Sequence, residues 1–188
     1  MKIIDNSKLP CPQPVINTKK AIEEGLPVKS IVDNEVAKEN VVKFCTKLGL
    51  KTEVIKNGEK YEIIIGKDGE LLKLTKNELE GTYLIKSKTL GVGDEKLGEG
   101  LMKAFIYTLT QKDKAPKRIM LLNSGVFLAV KGSQTVDDLK VLAQKGTEIL
   151  SCGTCLDFYN VKEQLAVGTI TNMYDIVENL TDDNTITL

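Results

Sequence analysis

Leu9-Pro10-Cys11-Pro12-Gln13-Pro14-Val15 is the stretch from which the rest of the chain is read. Proline is favoured at the first position of a helix, because its fixed φ suits the helix and its missing N–H had no partner there anyway. Pro12 in that position makes Cys11 the predicted N-cap of a helix running to about Glu24, with its sulfur at the positive end of the dipole. Such a setting favours the thiolate, the reactive form. Pro12 and Pro14 also remove two N–H donors that would otherwise solvate a sulfur anion. The reading is a thiol held rigidly exposed and only moderately activated, which suits passing a group on better than rapid turnover.

Around this helix the first half alternates short strands and helices. Lys2 to Asp5 and Lys29 to Val32 read as strands, and Asp33 or Asn34 caps a predicted helix from Val36 to Leu48. Ala37, Val41, Phe44 or Cys45, and Leu48 recur on one face of it. Cys45 on that face reads as a small buried hydrophobe. Lys51 to Ile55 and Tyr61 to Ile65, joined around Asn57-Gly58, form a predicted hairpin. The order β-α-β-α-β-β predicts a two-layer α/β sandwich over residues 1–68. From Gly66 to Gly81 glycines mix with charges; residues 69–82 read as a linker, with Leu71, Leu72 and Leu74 as a small extra element.

Residues 83–188 begin a second α/β pattern, in which strands alternating with helices predict a mostly parallel sheet in a three-layer α/β/α domain. Tyr83 to Lys88, Arg118 to Leu122 and Glu148 to Leu150 are the predicted strands, with Thr185 to Thr187 as an edge strand. Asp94 caps a helix whose expected buried face carries Leu97, Leu101, Ala104, Phe105 and Thr108. Further helices are expected over Asp137 to Lys145, within Cys155 to Leu165, and from the cap Asn172 to Leu180. Gly91-Val92-Gly93 opens a helix after a strand but lacks the third glycine and the Lys-Ser/Thr of a phosphate loop, so it reads as a turn.

Composition narrows the chemistry. Twenty-six basic residues balance twenty-six acidic ones, and only 5% of residues are aromatic; direct nucleic-acid binding is not expected. No stretch approaches the ~20 apolar residues of a membrane span, and Asp5 interrupts the start of the chain before a secretory signal can form. The expectation is a cytoplasmic protein with four reduced cysteines. With no histidine in the chain, Cys-His pairs and His-containing zinc sites are excluded, and neither metal nor cofactor is expected.

Cys152-Gly153-Thr154-Cys155 is the second thiol centre. Cys152 follows the predicted strand Glu148 to Leu150, on the side where ligands and catalytic groups gather in open α/β sheets. Gly153 makes the turn, and Asn123-Ser124-Gly125, beyond another strand, form a candidate anion-stabilising turn beside it. Zinc binding, a thiol-disulfide redox pair, persulfide exchange and a simple turn of small residues all remain open, although one C-x-x-C matches a four-ligand zinc site poorly.

The run Asp5…Leu9-Pro10-Cys11-Pro12-Gln13-Pro14-Val15, with its helix and the Val32-Asp33 strand end, closely resembles the TusA/SirA-like family, whose proteins carry a persulfide on the cysteine of Cys-Pro-x-Pro. Lys8 stands where that family usually has Gly. Ile149 to Tyr159, Gly91-Val92-Gly93-Asp94, Leu101-Met102-Lys103 and Asn123-Ser124-Gly125-Val126 resemble the DsrE-like family, whose members move sulfur within oligomeric relays. The two halves together are similar to the YedF family, described as sulfurtransferase-like and linked to selenium metabolism. The resemblance implies a sulfur or selenium carrier with Cys11 and Cys152 as stations, Cys155 being present in only some DsrE-like members. It implies a donor such as a cysteine desulfurase, a downstream acceptor protein, and a homo-oligomer formed through the C-terminal half. A thiol-disulfide or metal-sensing module using Cys152 and Cys155, and an RNA-pathway regulator, are the alternatives.

Overall fold

A computed structural model describes residues 1–66, 81–181 and 184–188. The chain divides into two compact units, at residues 77 and 78. The small element expected at Leu71, Leu72 and Leu74, and all of the predicted linker except Gly81 and Thr82, lie outside the described residues.

In the first unit β1 (Lys2–Asp5), α1 (Gln13–Glu24), β2 (Val28–Val32), α2 (Glu35–Lys47), β3 (Thr52–Asn57) and β4 (Lys60–Ile65) follow in the predicted order. The sheet runs β1-β2-β4-β3. β1 and β2 pair in parallel, while β4 is antiparallel to both its neighbours. β2 alternates: Val28, Ser30 and Val32 are buried and Lys29 and Ile31 only partly so, as expected of a sheet covered on one face. The core joins Val28, Val32, Ile63 and Ile65 to Ala21 and Ile22 of α1 and Val41, Cys45 and Leu48 at α2. Asn34, not Asp33, caps α2, its side chain accepting from the Ala37 N–H at 2.8 Å.

The second unit contains β5 (Thr82–Ile85), α3 (Glu95–Thr110), β6 (Arg118–Leu121), α4 (Val136–Gln144), β7 (Glu148–Cys152), α5 (Gly153–Phe158), β8 (Thr169–Thr171), α6 (Met173–Thr181) and β9 (Ile186–Thr187). Its sheet, β8-β7-β6-β5-β9, is parallel at every pairing. Alternate residues face opposite layers: Tyr83, Ile85, Ile119, Leu121 and Ile149 pack toward α3, α4 and α5. Leu84, Met120, Leu150 and Cys152 pack toward Ile176 of α6. The described unit is therefore three-layered, with helices on both faces of the sheet.

Three expectations change here. The strand expected over Tyr83 to Lys88 begins at Thr82 and stops at Ile85. The helix expected within Cys155 to Leu165 starts earlier, as the short α5 over Gly153–Phe158, and a separate 3-10 turn follows at Lys162–Gln164. The face assigned to α3 is also rotated: Gly98, Met102, Ile106 and Leu109 are buried, whereas Leu97 is 62% and Leu101 45% exposed. Gly98 explains the phase, because a Cβ there would lie 2.7 Å from the Thr89 Cβ. That contact turns the Gly98 side of the helix inward. β8, with only three residues, was not anticipated at all.

Candidate functional site

Cys11 is exposed, and it lies one residue outside the position expected for it. The first intrahelical carbonyl of α1 belongs to Pro12, which accepts from Ile16 at 3.2 Å, so Pro12 is the N-cap. The Gln13 N–H turns back instead to the Pro10 carbonyl at 2.9 Å. Pro14 has no N–H, and Val15 donates to Pro12. The first-turn donors are thus spent or missing, and no hydrogen bond reaches the Cys11 sulfur among the described residues. The sulfur instead sits at a cleft of about 50 Å³ between the starts of α1 and α2. Leu9, Pro12, Val15, Val36 and Ala37 make its apolar wall, and Asn34 and Asn40 its polar part.

A polar lattice holds the loop that carries this thiol. Asn6, only 1% exposed, donates to Ser30 Oγ at 3.0 Å and to the Pro14 carbonyl at 3.4 Å, and accepts from Asn17 at 2.9 Å. Thr18 donates to the same Pro14 carbonyl at 2.7 Å. The Lys8 N–H donates to Asp33 Oδ2 at 2.7 Å, which holds the Asp33 carboxyl below its usual range. Lys8 itself has φ +61°, the left-handed region in which a Cβ is strained and glycine is not. Lys8 is not among the residues lining the Cys11 cleft.

The second thiol centre is built where β7 meets α5. Cys152 is both the last residue of β7 and the N-cap of α5, and at 2% exposure it is buried. Cys155, on the first turn of α5, is half-buried and packs against both cores of the unit. Burial, and then the hydrogen bond with the Cys152 side chain, push the Cys155 thiol above its ordinary value; the Asn123 N–H, 3.2 Å from its sulfur, opposes them.

The candidate anion-stabilising turn divides its labour. Asn123, at φ +49°, serves the thiol with its N–H and accepts from the Tyr159 hydroxyl at 2.6 Å. Ser124 Oγ takes the Lys88 N–H at 3.3 Å. The Gly125 N–H is occupied by the Leu122 carbonyl, and a Cβ there would lie 2.4 Å from the Ile85 oxygen; it is a packing glycine. Gly153 likewise lets α5 approach β8, where a Cβ would meet Ile170 at 3.0 Å.

The sequence profile of the family described as sulfurtransferase TusA matches residues 2–67. A SirA-like protein from Desulfitobacterium hafniense is 34% identical over 36% of this chain and 100% of its own, with a TM-score of 0.34. Residues 2–67 form a TusA/SirA-like domain. The ychN protein of E. coli is 14% identical, covering 58% of this chain and 99% of its own at a TM-score of 0.45. A protein of unknown function from Methanobacterium thermoautotrophicum is 17% identical, covering 57% and 97% at 0.42. No curated protein matches the chain.

Within the TusA/SirA-like domain, Asn6 and Asn40 are the residues that reading the sequence missed. Asn6 looks like any polar residue after a strand, and only its burial reveals its part. Asn40 lines the Cys11 cleft from a helix that the sequence does not connect to Cys11. Cys45 is fully buried, and burial pushes its thiol up to about 11. Among the described residues no group of three or more His, Cys, Asp or Glu side chains could hold a metal ion, and no helix is long and apolar enough to cross a membrane.

Proposed function

We propose that this protein is a cytoplasmic sulfur or selenium carrier that takes up the chalcogen as a persulfide, or its selenium counterpart, on Cys11. The observation that carries this reading is an exposed cysteine at a cleft of about 50 Å³ in a TusA/SirA-like domain. One water needs about 10–15 Å³ of such space, so the cleft, at about 50 Å³, has room for a further sulfur or selenium atom. In the loading step the Cys11 thiolate attacks the outer sulfur of a donor persulfide, a cysteine desulfurase being the donor class. A new S–S bond forms at Cys11 as the donor's S–S bond breaks, and the donor leaves as a thiolate; the step is a transfer with no net oxidation.

Cys155 and Cys152 are the second station of the relay, in a DsrE-like unit joined to the first as in the YedF family. Cys155, the more accessible of the two, receives the sulfur. Attack by Cys152 on the Cys155 sulfur then displaces hydrosulfide and leaves a Cys152–Cys155 disulfide. Met173, Tyr174 and Val177 of α6 are exposed, and this apolar surface supports assembly into a homo-oligomer through the second unit. The placing of Cys152 and Cys155 within one turn at the start of α5 also favours a second reading, a thiol-disulfide module.

Incubation with a cysteine desulfurase and either cysteine or selenocysteine, followed by intact mass spectrometry, tests the proposal. The wild-type chain and Cys152→Ser gain one sulfur or selenium atom, and Cys11→Ser gains none at the first station. A wild-type chain that gains no mass on either centre sinks it. Rapid reduction of insulin by the Cys11→Ser variant supports the second reading instead.

A further inference from the structure

The second unit contains a cleft of about 730 Å³ that the thiol chemistry leaves unused. Leu128, Val130 and Val161 give it an apolar floor, all three of them buried. Four lysines, Lys88, Lys96, Lys103 and Lys131, and one carboxylate, Glu99, line it. Lys88 is committed to Glu95 at 2.7 Å and Glu99 at 2.9 Å, and Lys103 donates to Gln134 at 2.9 Å. Lys96 and Lys131 have no side-chain partner among the described residues. The cleft therefore combines an apolar surface with two uncompensated ammonium groups, which is the complement of a small molecule with an apolar body and an anionic end.

Gly100 supplies an independent observation. It lies in the interior of α3, where glycine is among the poorest helix formers. Packing does not require it, since a Cβ at Gly100 would meet nothing within 4 Å, in contrast to Gly98. Gly100 lines the cleft, so a side chain there would project into the cleft's space. The cleft also shares a wall with the thiol centre. Phe127 lines it and its ring lies 4.8 Å from that of Tyr159, whose hydroxyl holds the Asn123 that serves Cys155.

We infer that this cleft is a binding site for a small amphipathic organic anion, a site that stands apart from sulfur loading at Cys11 and does not depend on it. The test uses the full chain and 1-anilinonaphthalene-8-sulfonate as probe, with uncharged N-phenyl-1-naphthylamine as its counterpart. The sulfonate is expected to bind saturably, to shift the backbone amides of Gly100, Gly132 and Ser133 in nitrogen-proton NMR spectra, and to weaken as salt screens the lysines. Reversing both charges with K96E and K131E, or removing the sulfonate, is expected to weaken binding by about tenfold or more. Gly100→Leu is expected to abolish it by filling the space, with circular dichroism reporting that the fold persists. Binding that the double charge reversal leaves unchanged, or shifts confined to amides away from the cleft, overturns the inference.

Discussion

The main-chain N–H of Asn123 donates to the Cys155 sulfur at 3.2 Å, joining the turn after β6 to the first turn of α5. It is the one effect at Cys155 that favours the thiolate, and it is outweighed by burial and by Cys152. Cys155 is therefore a thiol at neutral pH, not a preformed thiolate. Alkylation of Cys155 should accelerate with pH up to and beyond the ordinary thiol value of 9.0. Cys152→Ala should move that profile to lower pH by removing one of the raising effects. A profile that stays in place, measured by site-resolved mass spectrometry, would show that Cys152 does not influence Cys155.

The four thiols should differ in order of modification. Cys11 is exposed, Cys155 half-buried, and Cys152 and Cys45 buried. With a limiting amount of iodoacetamide at pH 8, Cys11 should label first and Cys155 second. Cys45, with its thiol pushed up to about 11 by burial, should label only when urea unfolds the domain. Early labelling of Cys45 would contradict its place in the core.

Replacing Asn6 should be costly although it touches no reacting atom. Asn6→Ala removes one donor each from Ser30 and Pro14, both of which keep Thr18, and the acceptor of Asn17, at about 0.5–1.5 kcal/mol for each hydrogen bond lost. Urea unfolding should register this loss, and sulfur loading at Cys11 should fall under conditions where the variant remains folded. Unchanged loading would mean that the lattice supports the fold without positioning the thiol.

Acid should loosen the Cys11 loop through Asp33. Its carboxyl is held below the ordinary value of 3.8, chiefly by the Lys8 N–H. A lowered folded-state value means that the stabilisation is complete above the ordinary value and is lost as pH falls through the folded one. Protection of the Lys8 amide should therefore persist at pH 5 and decline below pH 4. Asp33→Asn should flatten that decline. NMR amide exchange across this range measures both.

Much of the first unit is legible from spacing, because its signals are local. The β-α-β-α-β-β order and the inward placement of Val41, Cys45 and Leu48 follow from periodicity. Phase is harder to read than period. α3 offers apolar residues on more than one side, and its orientation is decided by the close approach of Gly98 to Thr89, a contact with the preceding loop. β8 is too short to announce itself, and becomes a strand because β7 offers it a partner at Leu150 to Cys152.

The sequence by itself determined that a helix begins shortly after Cys11, that a Cys-Gly-Thr-Cys turn follows a strand, and that two α/β units carry them. These depend on proline, glycine and apolar period, which act on neighbouring residues. Only the tertiary structure decided that Cys11 lies outside the cap beside Asn40, that Cys152 is buried while Cys155 is accessible, and that Asn123 reaches Cys155. Those outcomes depend on which surfaces exclude water and which donors arrive from 32 positions away, and no local pattern encodes either.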